Sequence, residues 1–292
     1  MNLKELSKKI RTIDIFTNKG VTELFAGNYK SSFKGQGLEV KDIRKYEEGD
    51  DIRHIDWIIT AKQGFPYVKE YQESRELSTI VMVDISASMN FTSSEKTKKE
   101  VALEVAAIIL FSALKNGDKF GAIIFSDKIE KYIPIKKGKS HLLLILREII
   151  VCFENNKYKS SDHEAALKFL NMIVKKHAIC FFISDEISEN QSHSLRIANK
   201  KHDFVFLRTF DSFEEGFTSE EVLKIEDPES GEQIVLDLSN PQTKQNFLKL
   251  RQDKMRQMQE VLKKNKIEAL HLSTTCNIFQ KLLIFFKKRQ LQ

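Results

Sequence analysis

Asp84, Ser86 and Ser88 occupy alternate positions in the segment Leu77–Met89, LSTIVMVDISASM. The residues before them are apolar and largely β-branched, so they read as a buried strand ending on Asp84. The alternation brings one carboxylate and two hydroxyls to the tip of that strand. All three are hard oxygen donors, a set that suits Mg²⁺ or Mn²⁺ rather than a soft metal. So little protein charge does not neutralise a divalent ion. The expectation is a metal with charge to spare, able to recruit a carboxylate from another molecule. A second strand tip of this kind lies downstream, where AICFFIS, residues 178–184, runs into Asp185.

Other chemistries for the same residues are less well supplied. Asp84 and the serines could cap the next helix. That helix is expected to begin near residue 95, where Thr92 or Ser94 is better placed. A haloacid-dehalogenase phosphatase needs a second acid two residues after the first, and Ser86 stands there. A serine hydrolase of the nucleophile-elbow type needs Gly-x-Ser-x-Gly, which the chain lacks. Gly138-Lys139-Ser140 matches the end of a P-loop, but the position of its first glycine is Ile133. Cys152, Cys180 and Cys276 have no zinc spacing, and the first two lie in apolar runs, which predicts buried free thiols.

The elements that must position these residues follow from periodicity. Strands are expected at 77–84, 119–126, 178–184, 203–210 and 267–273, with a short edge strand at 129–135. Helices are expected near 95–115, 140–153, 162–176, 188–200 and 277–289, and a long charged one follows Asn240-Pro241 to about 265. Short strands at 222–226 and 233–238 flank the turn Asp227–Gly231. Alternating strands and helices predict an α/β fold, a mostly parallel sheet flanked by helices. Such sheets bind ligands beyond the carboxyl ends of their strands, where Asp84 and Asp185 both lie. Residues 1–76 differ. Leu3, Leu6, Ile10 and Ile13 have helical spacing, and residues 20–76 hold six glycines among short alternating runs. They read as an N-terminal helix and β-rich appendage, with residues 77–292 as the main domain.

Composition sets outer bounds. The 292 residues are 41% hydrophobic and 30% charged, as in a folded, surface-charged protein. The net charge of +6 is spread along helical segments that also carry Glu, and its clusters, such as Lys287-Lys288-Arg289, are short. That favours a solvated surface over a nucleic-acid interface. No stretch has the length and apolarity of a membrane span, and the N-terminus lacks a signal-peptide core, so no transmembrane segment and a cytoplasmic location are expected.

Asp84-Ile85-Ser86-Ala87-Ser88 resembles the first motif of the metal-ion-dependent adhesion site of von Willebrand factor A domains. The resemblance implies two further loops. Ser160-Ser161-Asp162 is similar to the second, with Ser161 where threonine is usual and the hydroxyl oxygen retained. Ile183-Ser184-Asp185 is similar to the third. Ser86, Ser88 and Ser161 are then the expected direct ligands of Mg²⁺ or Mn²⁺, with Asp84 and Asp185 bound directly or through water.

A narrower resemblance spans most of the chain. Gly27-Asn28-Tyr29-Lys30-Ser31, Lys34-Gly35-Gln36-Gly37-Leu38-Glu39 and Arg44–Trp57 (RKYEEGDDIRHIDW) are similar to a bacterial family labelled domain of unknown function fifty-eight; Tyr67–Tyr71 and Glu73–Leu77 continue it. Members resemble A domains and are often encoded beside MoxR-type AAA+ ATPases. The expected function is therefore a non-enzymatic, metal-dependent protein–protein interaction module. Its expected partner is a MoxR-type ATPase, or that ATPase's client, offering a Glu or Asp ligand. The alternatives are a metal-dependent hydrolase, for which Glu186 is the nearest base in sequence, and a nucleic-acid-binding protein. Asp50–Trp57 is expected to form a salt-bridged platform with Ile55 and Trp57 packed on the main domain, or else a docking surface using Trp57 and Arg53.

Overall fold

A computed structural model describes residues 38–73, 77–154, 160–214, 222–226, 233–237 and 239–291. The helix expected at 3–16 lies outside them. The chain divides into two compact units, one of them Lys34–Leu77 and the other containing Ser78–Gln292.

In the smaller unit, β1 (Leu38–Lys45) pairs antiparallel with β2 (Tyr67–Glu73). Between them lies the short helix α1 (Trp57–Gln63), capped by Asp56, which accepts the N–H groups of Ile58 and Ile59. Gly64 ends α1 with φ of 74°, a left-handed conformation open to glycine. Arg44 grips Asp50 in a two-bonded fork at 2.7 and 2.8 Å, Arg53 pairs with Asp51 at 2.7 Å, and Lys69 reaches Asp56 at 3.1 Å. The expected salt bridging is there, and within this unit the Trp57 side chain is 69% exposed. The cap turns Asp56 inward, and Ile55 bridges Val68 of β2.

The larger unit is built on a six-stranded sheet in the order β10-β7-β6-β3-β4-β5. Its strands are β3 (Ser78–Asp84), β4 (Lys119–Phe125), β5 (Ile129–Lys136), β6 (Ile179–Ser184), β7 (Asp203–Phe210) and β10 (Glu268–Ser273). All pairings are parallel except β4 with β5. Residues 80–84 of β3 and all of β6 are buried, so these strands read as unbroken apolar runs. Phe125, Phe204 and Phe206 each lay a tilted ring against Phe182 in the core on one side of the sheet.

The helices are α2 (Lys98–Lys115), α3 (Lys139–Glu154), α4 (His163–Ile173), α5 (Ser192–Lys201), α6 (Pro241–Lys264) and α7 (Ile278–Gln290). Helix α2 is apolar around most of its circumference, as befits a helix packed on the sheet and between α3 and α7. It is capped by a reciprocal Thr97–Glu100 box rather than by Thr92 or Ser94. Helix α4 stops at Ile173, earlier than its periodicity suggests, because Val174 turns extended before the charged Lys175-Lys176-His177. The short strands β8 (Val222–Glu226) and β9 (Gln233–Asp237) form a separate hairpin before α6. Gly138-Lys139-Ser140 opens α3 after an antiparallel edge strand, which removes the inner parallel strand that a P-loop requires. Among the described residues no helix is long and apolar enough to cross a membrane.

Candidate functional site

Strand order reverses at β3, with β4 on one side and β6 on the other. The carboxyl ends of β3 and β6 therefore flank the crevice where open α/β sheets place their ligands. Asp84 ends β3 and Ser184 ends β6, so the strand ends bring Asp84, Ser184 and Asp185 to this crevice.

Asp84 is fully buried. Its Oδ1 accepts the Ser86 N–H at 2.9 Å, which folds the chain after the strand back over the carboxylate. Its Oδ2 accepts the Ser184 hydroxyl at 2.7 Å and lies 2.9 Å from His163 Nε2. Ser184 Oγ and His163 Nε2 are 3.0 Å apart, closing a buried triangle. His163 is the first residue of α4, and its ring lies edge-on to Phe125 and Phe182. Burial works against the charged imidazole. The Asp84 carboxylate outweighs it, helped by Asp185 and Glu186, and raises the His163 pKa above the ordinary histidine value.

The serines follow in the short 3₁₀ turn Ala87–Asn90, held down by Met89, which is buried and accepts a weak bond from Thr209 of β7. Ser86 takes the N-cap position of that turn but makes no side-chain cap bond. Its Oγ lies 3.1 Å from Ser88 Oγ. The Ser88 hydroxyl also lies near enough to Asp185 to help lower that carboxyl's pKa. Asp84, Ser86 and Ser88 thus form one polar chain, with Asp185 near its Ser88 end.

Ser161 is not in that chain. It precedes Asp162, whose N–H bonds to the Ser126 carbonyl at 2.7 Å just beyond β4 and whose side chain caps α4. Ser161 thus lies at the same edge of the sheet, but among the described residues no hydrogen bond ties it to Ser86, Ser88 or Asp185. The side chain that this loop sends to Asp84 is His163.

Four participants escaped the sequence reading. Ser184 and His163 are two of them, and Lys98 and Glu214 are the others. Lys98 Nζ lies 2.8 Å from Asp185 and 2.7 Å from Glu214. Burial opposes the Asp185 carboxylate, but Lys98, the Ser88 hydroxyl and His163 outweigh it and lower the Asp185 pKa. Arg208 of β7 adds a bond from Nε to the Asp185 carbonyl at 3.1 Å. One sequence cue to Lys98 exists: a lysine in the first turn of a helix opposes the helix dipole.

The donor set fits a hard divalent ion. Adjacent ligands 2.0–2.1 Å from Mg²⁺ at right angles are about 2.9 Å apart, close to the 3.1 Å between the two serine oxygens. Ser86 and Ser88 would hold such an ion, with Asp84 and Asp185 orienting them. Among the described residues, no group of three or more His, Cys, Asp and Glu side chains could hold a metal. Any ion here relies on hydroxyls.

Comparison with known proteins places the chain among bacterial relatives. It is 26% identical over 228 residues to the uncharacterized protein Rv1480 of Mycobacterium tuberculosis, covering 78% of this chain and 72% of that one. It is 33% identical over 110 residues to the uncharacterized protein YeaD of Bacillus subtilis, covering 37% of this chain and 25% of that one. Among solved structures it is similar to the SpRpn10 VWA domain, with a TM-score of 0.40, 8% identity, and coverage of 71% of this chain and 94% of that chain. The model of the family described as "Protein of unknown function DUF58" matches residues 42–257. With its α/β sheet and that match across most of its length, the chain belongs to the DUF58 family.

Proposed function

We propose that this protein is a non-enzymatic, metal-dependent interaction module. The observation that carries the reading is the Ser86–Ser88 oxygen pair, 3.1 Å apart at the sheet's switch point and spared from helix capping. Asp84 and Asp185, at the two strand tips, orient that pair from either side. The bound ion would supply positive charge and an exchangeable position for a carboxylate of another protein. Ser161, at the same edge, is a further candidate oxygen.

The engagement of the nearby acids favours binding over catalysis. Asp84 accepts from Ser184 and contacts His163, and Asp185 is paired with Lys98. Neither is left over to serve as a general base for an attacking water, which leaves the hydrolase alternative only the exposed Glu186 among the acids considered. The partner class is a protein presenting Glu or Asp, and a MoxR-type AAA+ ATPase or its client is the candidate suggested by the family resemblance. This reading assigns the protein an adaptor or assembly role.

Mn²⁺ titration followed by electron paramagnetic resonance tests the metal. The wild type is expected to bind, and the Ser86→Ala/Ser88→Ala double variant is expected to lose at least tenfold in affinity with its fold retained. Equal titration curves would sink the reading. Capture of the candidate ATPase should then disappear with EDTA, whereas metal-independent capture would argue against a carboxylate bridge.

A further inference from the structure

Lys98 is buried, with 3% of its side chain exposed, at the first position of α2. Both circumstances disfavour a cation: burial removes its hydration, and the helix amino terminus carries positive partial charge. It is retained there by Asp185 at 2.8 Å and Glu214 at 2.7 Å. The two carboxylates differ in duty. Asp185 directly follows Ser184, which ends β6 and bonds Asp84 at 2.7 Å, so it belongs to the candidate metal site. Glu214 belongs to the separate turn Ser212–Glu214.

That turn is fixed in place. The buried Asp211 before it accepts the Phe213 N–H at 2.9 Å, the Ser93 N–H at 3.0 Å and the Thr274 hydroxyl at 2.9 Å, and also bonds the Ser93 hydroxyl. Phe213 lies against Phe91, with ring centroids 6.0 Å apart, and the Lys98 ammonium is 5.9 Å from the Phe91 ring. Glu214 is thus a preformed second seat for Lys98, and Arg208 lies 3.7 Å from its other oxygen.

We propose that the Lys98 ammonium is a resident competitor of the divalent ion, seated on Asp185 when the ion is absent and retained on Glu214 when it enters. The proposal rests on the metal reading above. Asp185 cannot serve a divalent ion at full strength while its Oδ2 is bound to an ammonium. Because Lys98 has two seats, it can yield one and keep a buried counter-charge. The device keeps metal affinity low until a further carboxylate arrives to share the added charge.

The two seats give variants of opposite sign. Removing Lys98 should tighten metal binding, and removing the Glu214 charge should confine Lys98 to Asp185 and weaken it. Lys98→Met leaves two buried acids facing each other, so the Lys98→Met/Glu214→Gln double variant keeps the test open should the single variant fail to fold. Mn²⁺ affinity read by electron paramagnetic resonance is expected to rise at least tenfold in the double variant. It is expected to fall severalfold in Glu214→Gln.

The failures are distinguishable. If the wild type binds Mn²⁺ through Ser86 and Ser88 but the double variant binds no tighter, the competitor role is overturned and the metal reading stands. The same holds if Glu214→Gln binds as tightly as the wild type. If no variant, the wild type included, binds Mn²⁺ at millimolar concentration, both fall together.

Discussion

The hairpin unit and the switch-point crevice both gather charged side chains, but they do so on different scales. In the hairpin the partners are near in sequence: Arg44 with Asp50, Arg53 with Asp51, and Asp56 with the first turn of α1. Most of these groups face solvent, and Arg53 is 84% exposed. In the crevice the partners are 79 residues apart for Asp84 and His163, 87 for Lys98 and Asp185, and 116 for Lys98 and Glu214. There they are buried. The local pairs shape a turn, whereas the distant ones exist only after the sheet has assembled. Water and salt screen the first kind far more than the second, so chemistry that depends on fixed charge belongs in the crevice.

The sharpest way to break this contrast is Asp84→Ala. It strips the shared acceptor from His163 and Ser184 inside the protein, and breaking a buried pair of this kind typically costs about 3–5 kcal/mol. Urea unfolding should show that loss as a lowered midpoint. A loss below about 1 kcal/mol would place the crevice in the same class as exposed pairs.

A smaller effect should follow pH. The folded-state pKa of His163 is raised, so its contribution to stability is fully present below the unfolded histidine value and is lost as pH rises through the folded value. Unfolding measured across that window should show the wild type losing stability relative to His163→Gln. The opposite trend, or parallel curves, would mean that the imidazole is not charged against Asp84. Asp185 has the reverse sign. Its lowered pKa gives stability that is present above the unfolded carboxylate value and is lost on acidification through the folded one. The smallest effect belongs to the hairpin, where Arg53→Ala should leave the midpoint of the wild type unchanged. A clear shift there would show that the exposed platform is structurally coupled.

The same contrast explains what the sequence disclosed. The strands of the main sheet were legible because burial on both faces writes them as apolar runs bounded by polar residues, as in β3 and β6. Asp84, Ser86, Ser88 and Asp185 were legible because a strand tip is a local feature. His163 could not be recognised this way, since nothing near Asp162-His163 announces that this ring ends beside Asp84. Glu214 was hidden for the same reason, and Lys98 offered only its place in the first turn of a helix.

The β4–β5 edge constrains how a partner can attach. Gly121 lies where any Cβ would come within 2.7 Å of the Ile133 carbonyl, and register breaks between Phe120 and Ala122 and again between Ile124 and Phe125. The outer strand also carries Pro134 and the exposed Lys131 and Lys136. Irregular, proline-bearing, lysine-bearing edges discourage a visiting strand from extending the ladder. Strand addition is therefore disfavoured on this side of the sheet, and a partner of the proposed kind would not gain its hold here by backbone pairing. The edge thus keeps the sheet from growing by another strand.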